Sequence, residues 1–118
     1  MRGNGGRNTV GHAGGMDVEL LVVPECPNEL MAHDLTRAVL EELDVSASVT
    51  TTVIDSDEQA LARGFTGSPM FLVNDRDPFA EAGAAVGVAC RVYRTSTGLN
   101  GVPSFEELRE ALRRALTA

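Results

Sequence analysis

The run Val18-Glu19-Leu20-Leu21-Val22-Val23 constrains the fold more than any other stretch of the chain. Only Glu19 interrupts it. A strand with that pattern has no polar face to offer water, so both of its faces need cover. The cover must be aliphatic, because aromatic residues are only 4% of a chain that is 43% hydrophobic. At 118 residues there is room for one domain. A central strand sandwiched by helices is therefore expected.

The remaining pattern supplies those helices. Pro24 and Pro27 punctuate the end of the first strand, and a helix is predicted from Pro27 to Leu43. Its apolar stripe reads Met31, Leu35, Ala38, Val39 and Leu43. Val45, Ala47, Val49, Thr51 and Val53 then alternate with serines and threonines, the period of a second strand. Ser56-Asp57-Glu58-Gln59 has capping-box spacing and opens a short helix that Gly64 ends. Met70-Phe71-Leu72-Val73 reads as a third, buried strand, followed by a long connection over 74–88 and a last strand over 89–94. Ser104-Phe105-Glu106-Glu107 is a second capping box, with Leu108, Ala111, Leu112, Ala115 and Leu116 on one face behind it. The order β-α-β-α-β-β-α predicts an α/β fold, one mixed four-stranded sheet with helices on both faces.

Residues 1–15 contain half of the 12 glycines, no acid and no apolar periodicity, so they are expected to be a disordered tail ahead of a domain over 16–118. They carry no apolar run of signal-peptide type, and Met16 reads as the natural start. Nowhere does the chain approach the roughly 18 apolar residues of a membrane span. Its net charge of −7 argues against a nucleic-acid partner. All ten cations are Arg, a bias from which no function follows.

With these elements in place, the chain resembles the thioredoxin superfamily. Cys26-Pro27-Asn28 stands between the first strand and the first helix, and Gly67-Ser68-Pro69 stands before the third strand. More narrowly, the chain is similar to small bacterial thioredoxin-like proteins with a Cys-Pro-Asn opening, some of them labelled in connection with alkylmercury lyase. The shared segments are Gly67-Ser68-Pro69, Asp77-Pro78-Phe79, Cys90 through Thr95, and Gly101-Val102-Pro103-Ser104. The resemblance implies a thioredoxin-like fold, a reactive thiol at Cys26, and a cis Pro69 lying against it. It also implies a Ser68 backbone free to pair with an extended peptide.

Glu29 stands where that superfamily's dithiol members carry their resolving cysteine. A carboxylate cannot displace a mixed disulfide, so any redox cycle must be monothiol, with glutathione or a protein thiol as the second partner. The helix dipole favours a thiolate at Cys26 by about 0.3–1 kcal/mol, and the flanking Glu25 and Glu29 oppose it by a similar amount. Glu29, read as the third helical residue, is expected to reach back to the Cys26 N–H. Cys90 is the only other thiol. It reads more readily as a small buried residue on the last strand, at the sheet end away from Cys26, than as a disulfide partner.

Other features take plain readings. His12 and His33 read as solvated rather than as ligands, and Asp75 and Asp77 as acidic turn residues. Arg91 and Arg94 read as solvated edge-strand charges rather than an anion site. No metal site or cofactor is expected. Three functions stay open: a weak monothiol thiol–disulfide protein, a noncatalytic peptide-binding module, and a soft-metal or organomercurial accessory protein. The expected location is the cytoplasm.

Overall fold

The computed structural model describes residues 16–117. The expected tail over 1–15 lies outside the described residues. Strand β1 (Met16–Val22) leads to helix α1 (Glu29–Leu43), β2 (Ala47–Val53), α2 (Asp57–Arg63) and β3 (Met70–Val73). After a long connection come β4 (Tyr93–Thr95), β5 (Gly98–Asn100) and α3 (Phe105–Thr117).

As its apolar run demands, β1 is the central strand. It pairs with β2 in parallel, Met16 opposite Ala47, and with β3 antiparallel, Leu21 opposite Met70. Val18 and Leu20 face one cluster with Phe71, Val39, Leu108 and Leu112, which belong to β3, α1 and α3. Leu21 faces the other side, with Met70, Leu72, Ile54, Ala60 and Phe65 around α2. Helices thus cover both faces. Each of the fully buried Val, Leu, Ile and Phe side chains among them contributes roughly 1.5–3 kcal/mol relative to exposure.

The four-stranded sheet is a correction: three strands form the sheet, and β4 pairs with β5 in a separate two-stranded ribbon. The cause lies in the connection. Asn74 and Asp75, both at positive φ, turn the chain sharply out of β3. When it returns, residues 89–91 run past Ser68 in the parallel sense, as an isolated bridge, not antiparallel along β3. Tyr93–Thr95 then closes on the next segment of the chain. Phe71, Phe79 and Tyr93 hold the connection against the sheet, their rings meeting edge-on with centroids 5.4–6.1 Å apart.

Two helix boundaries follow the capping boxes closely. The third, α1, starts two residues later than predicted, and its stripe holds only in part: Val39 is buried and Leu35 and Leu43 pack against the core. Its buried residues are Ala32, Thr36, Val39 and Leu40, while Met31 and Ala38 face solvent. Both stripes have helical spacing. The small Ala32 and the Thr36 hydroxyl, which donates to the Ala32 carbonyl at 2.8 Å, suit the close side.

Candidate functional site

The candidate site forms where the end of β1 meets the start of β3. Pairing of Leu21 with Met70 sets Val23 beside Ser68, and the Val23 N–H donates to Ser68 Oγ at 3.0 Å. Three residues on is Cys26, reached through a turn at Pro24-Glu25 in which Glu25 has φ 58°. The Cys26 carbonyl accepts from Glu29 N–H at 3.2 Å. This makes Asn28 the N-cap, and it offers no side-chain hydrogen bond to the helix. Cys26 therefore precedes the cap instead of forming it, and Glu29 is the first helical residue, not the third. Among the described residues no hydrogen bond joins the Glu29 carboxylate to Cys26 N–H, because at the first helical position it is not placed to close a capping box.

Cys26 is nearly covered, at 8% exposure, whereas Pro27 beside it is exposed. Leu30 and Met31, in the first turn of α1, are exposed too, which leaves an apolar rim next to the thiol. Asn28 is packed so close to Gly101 that a Cβ there would run into its amide. The loop before α3 therefore borders the same site.

The Ser68–Pro69 peptide bond is cis, and both residues are buried. Ser68 is not free to receive a peptide as expected. Its N–H donates to Ala89 O and its C=O accepts from Arg91 N–H, each at 2.8 Å. Cys90, opposite Ser68 in this bridge, is exposed. Both readings of Cys90 need correction: it is not buried, and it lies at the Cys26 end of the sheet. The sequence held no signal for this, because the long connection reroutes the chain. Both cysteines are free thiols.

Arg91 departs from the expected solvated edge-strand charge as well. Its guanidinium is not solvated: it bonds Asp77 Oδ2 at 2.8 Å, donates to the Phe79 carbonyl, and lies 4.9 Å from the Tyr93 ring centre. The Asp77 carboxylate in turn accepts from Phe79 N–H at 2.8 Å. Tyr93 donates its hydroxyl to the Pro69 carbonyl at 2.5 Å. Burial pushes the Tyr93 phenol well above its usual range, a shift that Arg91 partly offsets, so it stays a donor at any ordinary pH. A pocket of about 480 Å³ beside Arg91 and Arg94 is also lined by Glu81, Glu106 and Glu110, a mixed field poorly suited to an anion.

No group of three or more His, Cys, Asp or Glu among the described residues is arranged to hold a metal. No helix among them is long and apolar enough to cross a membrane. No protein-family model matches the chain, and no curated protein matches it.

Proposed function

We propose that this is a thioredoxin-like domain whose chemistry rests on one thiol, Cys26, exchanging with glutathione or a protein thiol in the cytoplasm. The observation that carries the reading is the junction of two loops at one end of the sheet. One bears Cys26, the other Ser68 and Pro69, and the Val23–Ser68 hydrogen bond joins them. In the exchange, the Cys26 thiolate attacks one sulfur of glutathione disulfide. A Cys26–glutathione bond forms, the original S–S bond breaks, and the departing thiolate takes up a proton. Glu29 cannot expel the adduct, so a second glutathione thiol must return Cys26 to its free form. The exposed Leu30 and Met31 offer a protein partner apolar contact beside the thiol.

Cys90→Ser protein, treated with glutathione disulfide, tests this. A single adduct on Cys26, removed by reduced glutathione, is expected. If Cys26 stays unmodified while Cys90 in the Cys26→Ser protein reacts fully, the proposal fails. The noncatalytic reading is favoured by one observation, the extended segment already seated on the Ser68 main chain. Peptide binding that survives Cys26→Ser would select it.

A further inference from the structure

The segment seated on Ser68 is paired like a docked strand and packed like a loop. Gly87 N–H donates to the Phe65 carbonyl at 3.0 Å, and the Ser68 N–H and C=O then engage Ala89 and Arg91. These are the bonds an edge residue makes to an added parallel strand. Yet Val86 and Val88 stay 44% and 41% exposed and Ala89 and Cys90 are exposed too, so none of the segment's apolar side chains is fully buried in the core. A stretch held by a few hydrogen bonds and little burial belongs to the least stable parts of a fold.

One side chain does hold it. Arg91 fills a nearly closed site made of the Asp77 carboxylate, the Phe79 carbonyl and the Tyr93 ring, with both members of the ion pair about nine-tenths covered. The approach of the backbone is equally tight. A Cβ on Gly67, which has φ 148°, would stand 2.9 Å from the Arg91 Cβ and 3.0 Å from its backbone. The edge is thus cut to admit a strand closely and to grip an arginine at its end.

We propose that residues 87–91 are a removable strap. They occupy in cis a strand edge at Ser68 that takes in trans an extended peptide with arginine just after the residue facing Ser68. The strap keeps Ser68 paired while no partner is present, and Arg91 in the Asp77 site is its latch. A partner takes the strap's place by supplying the same main-chain bonds to Ser68 and the same cation to Asp77. The inference is independent of thiol chemistry at Cys26.

The test uses the whole chain and a cysteine-free probe. By native-state hydrogen exchange, the wild-type Ser68 amide is expected to open at least about tenfold more readily than Leu20 and Leu21 in β1. Arg91→Ala should speed it at least about tenfold more, with the β1 amides unchanged. The probe is the capped peptide Gly-Val-Ala-Ser-Arg-Val, the sequence of the strap and Val92 with serine for Cys90. It should bind Arg91→Ala at least about tenfold more tightly than wild type, and its Arg-to-Ala analogue should lose that binding. Asp77→Asn, a milder change at the same latch, should speed Ser68 exchange in smaller measure even if Arg91→Ala folds poorly. Ser68 exchange unmoved by either substitution overturns the latch. Equal peptide binding to wild type and Arg91→Ala overturns the strap, and an opened strap that binds no peptide overturns the partner.

Discussion

Helices α1 and α3 begin in opposite ways. At α3, Ser104 and Glu107 close a reciprocal box: Glu107 N–H donates to Ser104 Oγ at 3.1 Å, and Ser104 N–H to Glu107 Oε1 at 3.0 Å. The next turn drives Leu108 fully into the core. At α1, Asn28 caps nothing with its side chain, and Leu30 and Met31 in the first turn point to solvent. One helix start is held by its own side chains. The other, among the described residues, has no side-chain cap on its first amides beside Cys26 and depends on the turn before it. A helix that only had to be stable would look like α3, whereas α1 keeps an open, weakly fastened start at the candidate site.

The largest effect that separates the two starts is apolar. Leu108→Ala should cost about 2–5 kcal/mol, while Met31→Ala should stay within about 0.5 kcal/mol of wild type. Denaturant midpoints at constant slope would show it, and a comparable loss at Met31 would mean that the α1 rim is packed. Caps come next. Ser104→Ala is expected to lose about 1 kcal/mol and Asn28→Ala almost none, both by chemical denaturation.

A smaller change is expected in reactivity. In a Cys90→Ser background, Glu29→Gln removes one charge near the thiol without breaking a cap bond. Cys26 alkylation at pH 7 should quicken about two- to fivefold, since removing a nearby negative charge lowers the cost of forming the attacking thiolate. An unchanged rate would show that Glu29 is not felt at Cys26.

The smallest effect belongs to α2, the intermediate case, with Ser56 as its N-cap and Arg63 in its last turn bonded to Glu19 at 2.6 Å. The Arg63 hydrogen bond holds the Glu19 carboxyl below its ordinary value of 4.5. Its contribution is therefore fully present above that value and fades as pH falls through the lowered one. Arg63→Ala should cost about 0.2–1 kcal/mol at pH 7, with the deficit closing in acid. A deficit that persists at low pH would mean that Arg63 acts through packing alone.

Local chemistry made much of this legible from the residues alone. The apolar run of β1 requires cover on both faces, and it has it. The serine boxes start α2 and α3 where their spacing says, because a cap bond spans three residues and needs no distant partner. Gly64, in the left-handed region at φ 63°, ends α2 for the same reason. The face of α1 was legible only in part: Leu35, Val39 and Leu43 serve the core as their spacing says, but Met31 and Ala38 compete with the neighbouring Ala32 and Thr36. Only the close approach of neighbouring elements selects the smaller set.

At the candidate site the sequence by itself determined that Cys26 would stand between a buried strand and a helix, with no second cysteine at position 29, but not that it would precede the helix cap instead of forming it. It also marked Gly67-Ser68-Pro69 as the turn into β3. Tertiary structure alone decided that Ser68 would be paired, that Arg91 would be buried on Asp77, and that Cys90 would face Ser68. Each of those contacts closes a loop of at least fourteen residues, between Asp77 and Arg91 or between Ser68 and Cys90. Loop closure depends only weakly on what lies between its ends, so no local pattern in the connection announces where it returns.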